Sequence, residues 1–324
     1  MHGIIGQKVG PTFLLSRLTV FAIKRVTFIP PQGFYMLVGI LYTLTTAVLV
    51  ASADALCKKA SQQQSIYGVS LSRWFFSLPV LWLMTYQMEF PRSISQQVII
   101  LTAILIPLEI TAMILYIKAL SRYDLSMTAP LLSLTPLFLL ITGSVFLGET
   151  ITVTGVAGVL LILLGIYVMN IAHFKEGLLA PFKCLLKNEG AVLVIIVALI
   201  YTVTSTMGKK VVTLTGSSFF SFWYLFLLSF AIIPVMCWKG ESPFQIFRNF
   251  KINLLIGTLV GLATFTIFTA YNYAPIAYVI AVKRTSIIFS VLLGRLVFKE
   301  HFFGQRVVGA AIAFAGIIII IFSP

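Results

Sequence analysis

The sequence predicts an all-α integral membrane protein, with ten transmembrane helices in two inverted five-helix repeats. Three observations lead there. Of 324 residues, 59% are hydrophobic and 10% charged, with a mean hydropathy of +1.04. A soluble chain is nearer a quarter charged, so most of this one lacks a water-facing surface and has lipid as its solvent. Apolar runs close to the length that crosses a bilayer, about 20 residues, recur ten times along it. Finally, Ala119–Ile166 shifted by 151 positions falls on Ala270–Ile317 without a gap.

The repeat is a skeleton of small residues with one acid per copy. Ala119, Phe138, Gly143, Glu149, Gly158, Gly165 and Ile166 answer to Ala270, Phe289, Gly294, Glu300, Gly309, Gly316 and Ile317. The same shift carries Lys58-Lys59 onto Lys209-Lys210. A period of half the chain rules out a solenoid and points to two halves of one membrane protein.

In chain order, residues 1–33 are basic and free of acids, with Lys8, Arg17, Lys24 and Arg25 ahead of Pro30-Pro31. Thr12–Thr27 suits an interfacial amphipathic helix. A transit peptide, or a start at Met36, accounts for the stretch equally well, and it is assigned no function. Spans follow near 34–54, 71–88, 98–119, 125–147 and 151–172, which close the first repeat over 34–172. After a linker at 173–188, the second repeat (189–324) has spans near 189–207, 217–238, 252–273, 276–298 and 304–322. Five spans per repeat put the copies in opposite orientations, and inverted repeats bind substrate near the midplane where they meet.

Formal charge is +14 with a pI near 9.8. The bases fall largely between apolar runs, where they set topology and meet anionic lipid, so nucleic-acid binding is not expected. The even-numbered inter-span loops and the N-terminal segment hold fewer of them than the opposite side. The positive-inside rule therefore places both termini outside. Cys57, Cys184 and Cys237, like His2, His173 and His301, are scattered, and neither a disulfide framework nor a metal or other cofactor is expected.

The run Ala129-Pro130-Leu131-Leu132-Ser133-Leu134-Thr135-Pro136, then Gly143 through Leu147-Gly148-Glu149, then Gly155, Gly158 and Gly165, resembles the EamA-type repeat of the drug/metabolite transporter superfamily. Gly294, Phe298-Lys299-Glu300, Gly309 and Gly316 match it in the second copy, and Arg73 matches an arginine often found at the head of span two. The resemblance covers roughly 34–322. It implies ten helices around a central cavity, alternating access, and export or exchange of small metabolites. It also implies cytoplasmic termini, against the charge count. The expected location is a bacterial inner (plasma) membrane. The second copy departs from the pattern where Leu132-Ser133 become Lys283-Arg284.

Those two cations are the most informative residues. They lie inside span 276–298, where a cation costs about 2.5–3.5 kcal/mol at helix centre and normally faces a cavity or a partner. Lys283 shares a helical face with Ser286 and Ser290. An ion pair that pins helices, contact with an anionic or zwitterionic substrate, and snorkelling to the interface all remain open. Glu109 is the natural counter-charge, two residues after Pro107, with Tyr116 two turns along the same face. Beside a cation it stays ionised; otherwise it is placed to carry the proton of a coupled cycle, and direct contact with the substrate is a third reading. Tyr42, Tyr201, Tyr271, Asn272, Tyr273 and Tyr278 are candidates to line the cavity, with Tyr271 and Asn272 favoured.

Other polar residues read as structural. Asp54 sits four residues before Lys58, a helical spacing for a local ion pair. Glu149 and Glu300 precede helices and complement their N-terminal dipoles. The glycines permit close helix packing. Trp74 and Trp238 look like interfacial anchors, while Trp223 stays open.

The leading function is a secondary carrier for a small polar metabolite, an amino acid or organic anion. The alternatives are a flippase for a lipid-linked sugar or lipid on the same fold, and a non-transporting scaffold. No His–acid pair supports a membrane enzyme, and no phosphate-binding G-x-x-x-x-G-K-[S/T] loop supports ATP hydrolysis.

Overall fold

The computed structural model describes residues 32–87, 91, 93–122, 132, 134–170, 189–289 and 304–323. Every regular element among them is helical: α1 Gln32–Ala60, α2 Ile66–Phe75, α3 Leu78–Thr85, α4 Gln96–Arg122, α5 Leu134–Leu147 and α6 Val153–Asn170. The second repeat contributes α7 Glu189–Thr215, α8 Ser217–Trp238, a 3-10 turn at Pro243–Phe247, α9 Phe250–Ala270, α10 Ile276–Lys283 and α11 Gly304–Ile321. Six described helical segments are long and apolar enough to cross a bilayer, α2 and α3 counting together as Ile66–Thr85, and Leu134–Leu147, Val153–Val168 and Val308–Ile321 are shorter apolar helices. The fold is the all-α membrane architecture of two five-helix repeats that the sequence predicts. The segments 1–31, 171–188 and 290–303, with Ser290 and Glu300, lie outside the described residues.

Two spans are broken rather than continuous. The second starts earlier than the apolar run suggests, because Ser65 caps α2 by accepting from the Gly68 N–H at 3.0 Å. It breaks at Phe76–Ser77 because Pro79 has no N–H for the Phe75 carbonyl. The ninth was expected to run through 276–298. Instead α10 stops at Lys283, turns at Arg284–Thr285, and resumes helically to Phe289. At the break the Val282 carbonyl accepts both the Thr285 N–H at 3.0 Å and the Thr285 hydroxyl at 2.7 Å.

Helix packing follows the repeat. The main pairings are α1 with α9, α4 with α7, and α6 with α11. The 151-residue shift exchanges the first two and returns the third to itself. The α6–α11 seam rests on reciprocal glycines: a Cβ on Gly158 would lie 2.9 Å from the Gly316 carbonyl oxygen, and one on Gly316 would lie 2.6 Å from that of Gly158. Small residues bring backbones together where no hydrophobic effect drives association. Threonine pairs tie other seams, Thr46 to Thr266 at 2.7 Å and Thr142 to Thr206 at 2.9 Å.

Trp74 is not an interfacial anchor. It is 2% exposed, because α2 is enclosed by α4, α8 and α9. Trp238 is 82% exposed at the end of α8, with the Lys239 ammonium 4.8 Å from its ring centroid.

Candidate functional site

A polar cluster lies where the broken spans meet the long helices. Asp54 near the end of α1 faces Arg73 at the end of α2, and Nη1 of the guanidinium donates to Oδ1 at 2.8 Å. The same Nη1 lies 3.1 Å from Cys57 Sγ. The second carboxylate oxygen accepts from the Tyr116 hydroxyl of α4 at 3.0 Å. Asp54 is therefore committed to two partners on other helices. The local pair with Lys58 is not formed, and Lys58 is exposed. A lysine at a helix end is hydrated without help, whereas Arg73 is 7% exposed and needs the carboxylate.

Glu109 on α4 is half-buried, and the hydroxyls of Thr204 on α7 and Tyr224 on α8 reach its carboxyl. Lys283 is the cation that acts on it most strongly. The two described ion pairs, Arg73–Asp54 and Lys209–Glu149, do not include Glu109. Its environment is a hydroxyl cradle within the field of an ammonium group.

Lys283 and Arg284 sit where α10 ends, so their charges complement the C-terminal dipole as well as the cluster. Arg284 Nη2 donates to the Thr135 hydroxyl of α5 at 3.1 Å, and Thr135 in turn donates to the Ala198 carbonyl at 3.4 Å. Arg284 Nε is buried with no hydrogen-bond partner. Asp54 is the acid in its surroundings, with the neutral phenols of Tyr201, Tyr116 and Tyr271 nearby. Tyr116 and Tyr201 meet edge to face at 6.5 Å. Tyr271 is buried and hydrogen-bonded to Ser205.

The cluster thus brings together Glu109, Tyr116, Tyr271, Lys283 and Arg284 from among the sequence candidates. Ser286 is half-buried beyond the break, and Ser290 lies outside the described residues. Asn272 stands apart: it is exposed and donates to the Ser217 hydroxyl at 3.2 Å. Tyr278 serves the seams, with its hydroxyl accepting from the Thr152 N–H at 3.2 Å.

Both copies of the repeat now have a structural context. The model of the EamA-like transporter family matches residues 37–171 and again 188–322. The chain belongs to that family. No curated protein matches it. A solved crystal structure superposes with a TM-score of 0.68 over 88% of this chain and 95% of its own, at 16% identity, which shows a shared fold. This EamA-like chain is therefore an integral, multi-pass membrane transporter.

The transporter's charge is unevenly divided between the repeats. The 151-residue shift takes Asp54 to Ser205 and Arg73 to Tyr224, so the first repeat's ion pair has neutral counterparts in the second. The second repeat supplies Lys283 and Arg284, against Leu132 and Ser133. Sequence reasoning missed Thr135 and Tyr224, which carry no charge. It met Arg73 only as part of a family pattern. Comparing charges across the repeat would have marked Arg73.

Proposed function

We propose that this EamA-like transporter is a secondary carrier for a small metabolite with an anionic group, an amino acid or an organic anion, exported or exchanged by alternating access. The observation that carries the reading is Arg284. Its guanidinium has one hydroxyl partner and a buried, unpartnered Nε, while the nearby carboxylate of Asp54 is already engaged by Arg73 and Tyr116. An unpaired cation in a membrane interior is costly, and a substrate carboxylate or phosphate would relieve that cost through charge-assisted hydrogen bonds. Lys283 adds a second positive charge beside it. Glu109, held by two hydroxyls and outside both described ion pairs, is the candidate for a coupling proton. Helical spans, in place of a barrel, fit a bacterial inner or plasma membrane.

The test is a thermal-shift screen of purified protein against amino acids, organic acids, sugar phosphates, nucleotide sugars and a lipid-linked sugar. A ligand that binds the native state adds about 2.7 kcal/mol of stability at a hundredfold its dissociation constant. Stabilisation by an acidic ligand is expected in the wild type and lost in folded Arg284→Ala and Lys283→Ala. If acidic ligands act equally on all three proteins, or only a lipid-linked sugar acts, the anion reading is wrong and a flippase takes its place.

A further inference from the structure

Glu149 follows α5, one residue after Gly148, whose φ of 67° makes the turn. Sequence reading assigns its charge to the dipole of the helix that follows. Its carboxylate turns instead to the other repeat. It is ion-paired to Lys209 of α7, and its two oxygens lie 3.1 and 2.9 Å from the Ile276 N–H that opens α10. Lys209 also donates to the Ala274 carbonyl at 2.7 Å. One carboxylate and one ammonium therefore fasten α5 to α7 and to the turn between α9 and α10. Both side chains are about nine-tenths buried, with 9% and 10% exposed. A Cβ on Gly143 would lie 2.7 Å from Glu149 Oε2, so the glycine leaves room for the carboxylate.

By alternation of the spans, this contact lies on the face where α1 begins and α11 ends. Thr152 and Ser323 are hydrogen-bonded there as well, joining the start of α6 to the end of α11. The repeat carries Lys209 back to Lys58, which the same alternation puts toward the opposite face. Lys209 is 8% exposed and paired, whereas Lys58 is exposed. Two equivalent lysines thus occupy opposite environments in one conformation. An inverted-repeat carrier alternates by rocking or gating one repeat against the other, and the pseudo-two-fold relation between repeats lets that motion exchange two such environments.

We infer that Glu149–Lys209 is the gate bolt of the terminal face: closed here, and opened when the carrier exposes its site to that side. This rests on the alternating-access reading above. Opening leaves Lys209 as accessible as Lys58 is now, while Lys58 becomes covered. The bolt biases the equilibrium because its interactions exist in only one of the two states.

The two lysines report on the proposal directly. Purified protein in lipid nanodiscs is treated with a water-soluble acetylating ester, and modification of Lys58 and Lys209 is followed by mass spectrometry. No substrate is needed, so the gate can fail while anion binding stands, and the reverse. In the wild type Lys58 reacts and Lys209 is protected. In Glu149→Gln, and separately in Gly143→Ala, Lys209 reacts about tenfold faster while Lys58 slows several-fold, because the population moves between states. The reciprocal loss at Lys58 separates a gate from a local helix cap. If Lys58 does not slow in either variant, whatever happens at Lys209, the pair only caps α10 and the gate is wrong.

Discussion

Asp54 and Arg73 are separated by 19 residues in the chain and by 2.8 Å in space. Their link joins α1 to the point where the second span breaks, and Tyr116 of α4 completes it. Three helices of one repeat are thereby fixed at the edge of the polar cluster. The charges of the second repeat, at the end of α10, face this fixed group.

Removing the carboxylate leaves Arg73 buried without a counter-charge. Asp54→Asn is expected to cost about 3–5 kcal/mol, as breaking a buried pair from one side does. The double variant Asp54→Leu with Arg73→Met removes both charges and recovers much of that loss. Thermal unfolding in one detergent, compared across the three proteins, checks this. A double variant less stable than Asp54→Asn would mean that Arg73 is held by something other than Asp54.

The helices were legible in the sequence because apolar length and the 151-residue repeat are global signals. The long spans α4, α8 and α9 begin and end within a few residues of the apolar runs. What the sequence concealed were choices among partners. Helical spacing offers Lys58 to Asp54, but burial decides for Arg73, and burial is a tertiary property. Glu149 precedes a helix in sequence yet binds the start of another across the repeat boundary. The break at Arg284 was equally hidden, since Ile276–Phe298 reads as one apolar run. Lys283 and Arg284 were still visible as anomalies, because charge within an apolar run needs a physical reason.

Arg284 is expected to contribute to anion binding through geometry as well as charge. Arg284→Ala should weaken an acidic ligand by roughly a hundredfold, on the scale of one charge-assisted hydrogen-bond pair. Arg284→Lys keeps the charge but loses the planar fork, and should recover only part of the affinity. Thr135→Val, which removes the single hydroxyl partner, should change affinity by less than about tenfold. Isothermal titration with the ligand found by thermal shift measures all three. Equal affinities for the Lys and Ala variants would show that the guanidinium geometry is irrelevant.

Glu109→Gln preserves shape and hydrogen-bonding capacity while removing the titrating group. In proteoliposomes, a proton gradient is expected to drive substrate accumulation in the wild type but not in this variant. Exchange of labelled for unlabelled substrate, which needs no net proton movement, should persist in both. Retention of gradient-driven accumulation by Glu109→Gln would assign coupling to another group. Loss of exchange as well would make Glu109 a structural or substrate-binding residue.

The α6–α11 seam predicts a purely steric effect far from the charges. A methyl group at position 158 would press on the Gly316 carbonyl and on Ile320, whose Cγ1 would lie 2.6 Å away. Neighbouring backbone cannot retreat cheaply in a packed seam, so Gly158→Ala is expected to cost about 1–3 kcal/mol. Gly148→Ala offers a contrast, since nothing lies within 4 Å of a Cβ there and only its positive φ resists the change. That strain is worth about 1–2 kcal/mol. Thermal unfolding should show both losses. Only Gly158→Ala should be partly restored by removing the opposing Cγ1 atom, Ile320→Ala. Absence of any rescue would place the cost of Gly158→Ala in the opposing backbone at Gly316 rather than in the Ile320 side chain.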